Sequence, residues 1–368
     1  MYVPFLDLKI KSQSLRNKYT AAIDDILKSG RILLGPAVLE LEKKLAKYCG
    51  RKYCVAVGSG TDAVFMAIKV LNIGSKDEVV TTPLSWVASS NAIVMNNAKP
   101  IFCHINDDLN IDVKSVEKNI NKNTKAVLAV NFSGSMSDLE ELEKICRKNK
   151  VFLIEDASQS FGAQIGKRKS CSFGKISAVS FNPMKILSGF GECGAVFCDD
   201  LKLYKKLISI RYNGTINRET CLYPSLNFRI DTIQAALLLK QFERLSFNIS
   251  KRRKLAKIYD KNLRDLVKIP KFSLKATHSY FTYTILTAHR DNLAKYLKQF
   301  NIETKIKHKQ LIPEHPAYKK FNNLNFTNDK KIVGQILCLP MHENLTTEQI
   351  NFVCEKIKNF LVIKSYFK

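Results

Sequence analysis

Two rhythms of apolar and polar positions run through this chain. From residue 14 to 48 the apolar residues recur at helical spacing, and "AVLELEKKLAKYC" presents one regular apolar face. "YCVAVGSG" then reads as a short buried strand running into glycines. "TDAVFMAIKVL" resumes the helical period, with Thr61 or Asp62 serving its first turn. The runs "EVVTTP", "KPIFCHI", "KAVLAVNF", "VFLIEDAS" and "ISAVSF" predict further buried strands, with helical stretches such as "SDLEELEKICRKN" between them. Such alternation predicts an α/β fold: a mostly parallel central sheet flanked by helices on both faces.

After residue 235 the texture changes. "TIQAALLLKQFERLSFNISKRRKLAKIYDKNL" predicts one long helix leading away from the sheet. Beyond it come the strand-like "SYFTYTIL", the helix-like "RDNLAKYLKQF" and a closing helix at "TTEQINFVCEKIKNFLV". A chain of 368 residues exceeds what one core usually serves. We therefore expect a large α/β domain over residues 1–235, opened by a helical segment, and a smaller C-terminal α+β domain over 236–368.

Composition narrows the class. An apolar fraction of 45% fits an ordinary globular protein. The opening "MYVPFLDLKIKSQ" lacks a signal-peptide pattern, and no apolar run is long enough for a bilayer, so a soluble, cytoplasmic protein without a membrane partner is expected. The closest of the 10 cysteines, Cys49/Cys54 and Cys193/Cys198, lack C-x-x-C spacing, and the 6 histidines are dispersed. Reduced, buried thiols and no metal are expected. The formal charge of +26 points toward polyanionic partners, yet it is spread out, with only short clusters such as "KRRK" (251–254) and "KIKHK" (305–309). No helix-turn-helix, zinc or RNA-binding signature accompanies it, so a nucleic-acid-binding regulator is disfavoured.

Four stretches can carry chemistry. "GSGTDA" (58–63) joins a strand to a helix, where glycines admit a ligand and the helix start offers N–H groups to a phosphate; a plain glycine turn capped by the threonine is the bland alternative. "VFLIEDASQS" ends a strand in Glu155 and Asp156, only one of which can face a given side. That carboxylate is either a cap or surface charge, or a buried partner for a cation. "SFNPMKILSGFGECG" (180–194) sets Lys185 after a strand among glycines; a nucleophilic lysine needs such a confined setting, whereas most lysines are simply solvated. "PLSWVASS" holds Trp86, the one tryptophan, which fits either a stacking platform or core packing.

In the order G-S-G-T-D-A, P-L-S-W, E-D-A-S-Q, S-F-N-P-M-K and L-N-F-R, these stretches resemble the DegT/DnrJ/StrS family. That family comprises sugar aminotransferases of the fold-type I PLP-dependent transferases. The similarity runs from "PFLDL" through "SGRILLGPAVLELE" to "LCLPMHENLTTEQI". The resemblance implies pyridoxal 5'-phosphate (PLP) as cofactor, attached to Lys185, with Asp156 on its ring nitrogen and Gln159 near its ring oxygen. It implies Gly60, Thr61 and Ser180 around the phosphate and Trp86 stacked on the ring. Asn227 would reach the phosphate of a neighbouring subunit, which implies a homodimer with shared active sites.

The reaction so implied moves an amino group from L-glutamate to a 3- or 4-keto, 6-deoxy, nucleotide-linked hexose, giving an amino sugar for glycan biosynthesis. Family dehydratases replace the lysine, typically with histidine, so Lys185 argues against that activity; a cyclitol ketone as acceptor stays open. Two departures stand out. "GECG" (191–194) replaces the more usual G-D-G-G, implying a bulkier loop. Lys307-His308-Lys309 stands where His-Tyr-Pro is common, in a segment that contributes to the substrate pocket. The extra charge there suits either a nucleotide diphosphate or a solvated face, the second favoured in so lysine-rich a chain.

Overall fold

The computed structural model describes residues 1–273 and 275–366. Seven strands form the main sheet: β1 (Tyr53–Val57), β2 (Glu78–Thr81), β3 (Lys99–Phe102), β4 (Thr124–Val130), β5 (Phe152–Asp156), β6 (Ile176–Ser180) and β7 (Gly194–Cys198). Their order is β1-β7-β6-β5-β4-β2-β3. β2 pairs parallel with β3 and β4, as do β4 with β5 and β5 with β6; β7 runs antiparallel between β1 and β6. Every residue of β2, β6 and β7 is buried, which explains why these strands read as unbroken apolar runs.

β7 was absent from the expected strands. "GAVFC" begins in glycine directly after the "GFGECG" loop, so its extended signal merges with that loop. Gly194 pairs with both Val57 and Ser180, which brings the "GSG" turn and the end of β6 together. A side chain at 194 would lie 2.5 Å from the Ser59 carbonyl oxygen, so the close approach needs glycine.

The early helical region is two helices, Gln13–Ser29 and Pro36–Cys49, the first ending at Gly30 with φ 65°. The helix after β1 spans Gly60–Val70 with Thr61 and Asp62 in its first turn, and its cap is Ser59, not Thr61: the Ser59 hydroxyl accepts from Asp62 N–H at 3.0 Å. The single long helix expected after residue 231 is also divided, into Thr232–Phe242 and Leu245–Leu263. The break follows from the cores they serve. Ala235 and Leu238 pack with Leu41 and Phe181 against the sheet, and so do Leu245 and Ile249, whereas Leu255 and Tyr259 belong to a separate C-terminal core. One straight rod need not satisfy both.

That C-terminal core is built around the antiparallel pair β8 (Tyr283–Leu286) and β9 (Ile336–Leu339), with helices Arg290–Gln299 and Thr347–Tyr366. Val3 joins it, donating to Asn301 O and accepting from Glu303 N, both at 2.9 Å. Among the described residues no helix is long and apolar enough to cross a membrane. All ten cysteines have free thiols, nine of them buried.

Candidate active site

Asp156 ends β5 and is 4% exposed. Its Oδ1 accepts from the Ser158 N–H at 3.0 Å and its Oδ2 from the Ser89 hydroxyl at 3.1 Å. One bond per oxygen leaves lone pairs for a further donor. Its neighbour Glu155 faces the other way, as strand alternation requires, and accepts from Asn131 Nδ2 and from the N–H groups of Cys171 and Phe173 at 2.9–3.1 Å. Burial lifts the Glu155 carboxyl to about 7, opposed by those bonds. Glu155 ties loops beneath the sheet; Asp156 faces the site.

Lys185 follows β6, its N–H donating to Asn182 O at 2.8 Å in a tight turn closed by Pro183. Its amine stands 4.8 Å from the centre of the Phe281 ring. Burial holds the amine below the usual lysine range, against the opposing charges of Asp156 and Glu192. That is the setting a nucleophilic lysine needs: confined, with the charged form of its amine penalised by burial.

Gly60 opens its helix directly against Ser180, where an added Cβ would fall 2.3 Å from the Ser180 Cβ. The Ser180 N–H donates to Ser158 Oγ at 3.0 Å, and Ser180 Oγ accepts from Asn182 N–H at 3.3 Å. Since Ser59 caps Asp62, the N–H groups of Gly60 and Thr61 have no partner within the helix. Thr61 is exposed with its hydroxyl spared from capping. Gln159 accepts from Ser133 N–H at 3.0 Å through Oε1, leaving its amide N–H groups as free donors. Trp86 is 66% exposed and is not core.

Asn227 precedes Phe228, whose carbonyl accepts from the Gly58 N–H at 2.8 Å. Asn227 is exposed, and its carboxamide oxygen is engaged by Arg229 of the same chain through N at 3.3 Å and Nε at 2.8 Å. The bulk of "GECG" is absorbed inward. Cys193 is fully buried, its Sγ 3.4 Å from Phe181 O, and burial pushes the thiol up to about 12. Glu192 stays exposed and accepts from Asn182 Nδ2.

The segment at 305–309 requires a correction. Lys305 and Lys309 are exposed, as a solvated face would have it, but Lys307 is not: its amine lies 3.8 Å from the centre of the same Phe281 ring. His308 adopts φ 53° with its ring 5.7 Å from Phe132. Phe281 and Met184 also border a cavity of about 980 Å³. Sequence reasoning missed Ser89, Ser133, Ser158 and Phe281. The serines flank the motif residues and carried no pattern of their own, and Phe281 was read as part of a strand that in fact begins at Tyr283.

These residues fit pyridoxal 5'-phosphate. The glycine-lined helix start suits a phosphate, Asp156 retains acceptor capacity for a protonated ring nitrogen, and Lys185 offers an amine whose charged form burial disfavours. Known proteins agree. An aminotransferase of Pseudomonas aeruginosa for UDP-2-acetamido-2-deoxy-3-oxo-D-glucuronate is 32% identical, the match covering 97% of this chain and all of that one. Streptomyces venezuelae DesV, solved with a ketimine intermediate, superposes with TM-score 0.95 at 30% identity over 98% of both chains. Bacillus subtilis NtdA, solved with its cofactor PMP, gives TM-score 0.92 at 27% identity, covering 98% of this chain and 85% of that one. The expected fold-type I architecture is thereby borne out. Residues 13–358 match the profile of the DegT/DnrJ/EryC1/StrS aminotransferases, a PLP-dependent family to which this chain belongs.

Proposed function

We propose that this chain is a cytoplasmic, homodimeric sugar aminotransferase that moves the amino group of L-glutamate to a nucleotide-linked 3- or 4-keto hexose. The observation that carries the reading is the Lys185 amine, held off its usual pKa by burial and placed in the neighbourhood of Asp156. Relatives with sugar substrates over the full chain length support the acceptor class.

When bound, the cofactor supplies an aldehyde that condenses with amines and a ring that withdraws electrons from the carbon being deprotonated. The residues of the chain do the rest. Gly60, Thr61 and Ser180 bind the phosphate, joined by Asn227 of the partner subunit, and Trp86 covers the ring. Asp156 would hold the ring nitrogen protonated, and Gln159 would donate toward the ring oxygen. Lys185 Nζ would take the α-proton of the amino donor and hold it for return on the cofactor side of the new C–N bond; in the second half, with the keto sugar, it would carry the proton back. The cycle is ping-pong, because the donor leaves before the acceptor is aminated.

Adding L-glutamate to the yellow, cofactor-loaded protein should bleach it, and a keto sugar should restore the colour. Lys185→Ala that still turned over glutamate would sink the assignment.

A further inference from the structure

The cavity beside Phe281 is bordered by Lys295, Lys298, Lys305, Lys307 and Lys309, and by two carboxylates, Asp291 and Glu303. Both carboxylates are engaged elsewhere. Asp291 pairs with Arg290 at 2.9 Å, and Glu303 accepts from Tyr2 OH at 2.7 Å and Phe5 N–H at 2.9 Å. Four of the five lysines are exposed, so water satisfies them and their number alone means little. Lys307 differs. It is only partly exposed, has no ion pair or side-chain hydrogen bond among the described residues, and rests on the face of Phe281 at 3.8 Å. A ring face compensates only part of the cost of withdrawing a cation from water. Arg252, whose charge adds to that of Lys307, is itself paired with Glu343 at 2.9 Å.

Position identifies what would. Lys185 and Lys307 stand over one ring, at 4.8 Å and 3.8 Å from its centre. A group that meets Lys307 while its own carbon reacts at Lys185 therefore lies on the hexose or is bonded directly to it, not on the distant nucleoside. We propose that Lys307 is the acceptor-selecting cation of this enzyme, receiving an anionic substituent, carboxylate or phosphate, carried on the hexose ring itself. The proposal rests on the sugar-aminotransferase reading and specifies its substrate: a keto sugar acid or keto sugar phosphate is taken over its neutral counterpart.

The test uses the cofactor-loaded protein and two ligand pairs that differ in charge on the hexose, UDP-glucuronate against UDP-glucose and glucose 6-phosphate against glucose, with binding measured calorimetrically. The charged member of one pair should bind about tenfold tighter or more. The pair that discriminates tells carboxylate from phosphate. Lys307→Met should bring that ratio to within about twofold, and Lys307→Arg, which keeps the charge, should preserve most of it. Equal binding within both pairs, binding of none of the four, or discrimination that survives Lys307→Met would each overturn the proposal. Bleaching by L-glutamate reads the aminotransferase assignment separately: equal binding with bleaching overturns the role of Lys307 alone, and absence of bleaching overturns both.

Discussion

The Ser89 hydroxyl donates to Asp156 Oδ2 at 3.1 Å, and Ser85 stands 3.1 Å behind it. The carboxylate is therefore aimed by a short serine relay, Ser89 on the helix Ala88–Met95 and Ser85 in the loop before it. Ser89→Ala should loosen that aim without removing the charge. Hydrogen bonds to ionised groups are worth about 1.5–3 kcal/mol, so a fall in kcat of about tenfold is expected. Asp156→Asn, which loses the charge, should cost at least about a hundredfold while retaining some cofactor. Steady-state kinetics on the pair would check the order; equal losses would mean that Ser89 matters to more than orientation.

Gly60→Ala tests the phosphate cradle. The new methyl would fall 2.3 Å from the Ser180 Cβ, so the start of the helix must shift. Cofactor affinity should drop by at least about tenfold, read by titrating cofactor-free protein with pyridoxal phosphate and following absorbance. A melting temperature unchanged in the absence of cofactor, with weakened binding, would place the damage at the cradle and not in the fold.

Much of this site was legible because its chemistry is carried by short contiguous stretches at strand ends. "GSGTDA", "EDASQ" and "SFNPMK" each deliver residues that β1, β5 and β6 bring to one edge of the sheet. What escaped depends on contacts distant in sequence. β7 hides because a five-residue strand opening in glycine resembles the end of a loop. Ser59 and Thr61 are equally good caps on paper, and only the backbone geometry chooses Ser59. Lys307 reads as one solvated lysine among many until Phe281, 26 positions earlier in the sequence, is placed beneath it.

The same lysine gives a pH prediction. Burial, opposed by Cys338 and reinforced by the charges of Lys185, Lys305 and Arg252, brings its amine from 10.5 down to about 7. The unfolded chain, with the higher pKa, then binds the proton more readily across that window. The stability the neutral amine contributes is present above the unfolded value and is lost as pH falls through the folded one. In the absence of sugar, Lys307→Met should thus gain melting temperature over wild type as pH falls from about 10 to about 7, with little further gain below. A difference that did not vary with pH would mean that the lysine stays charged in the fold.

Leu226 offers a test of the dimer. It is 65% exposed, beside Asn227, and Ile32 and Leu33 are exposed at 47% and 52%. The two segments approach each other, because Leu33 bridges Asp231. Exposed apolar side chains on two adjoining segments fit an interaction surface. If Asn227 serves the site of the partner subunit, that surface must be covered by a second copy. Leu226→Asp should then shift the protein toward monomer in sedimentation and, by withdrawing Asn227, weaken cofactor binding in the same samples. Cofactor affinity that held steady in a proven monomer would show that each chain completes its own site.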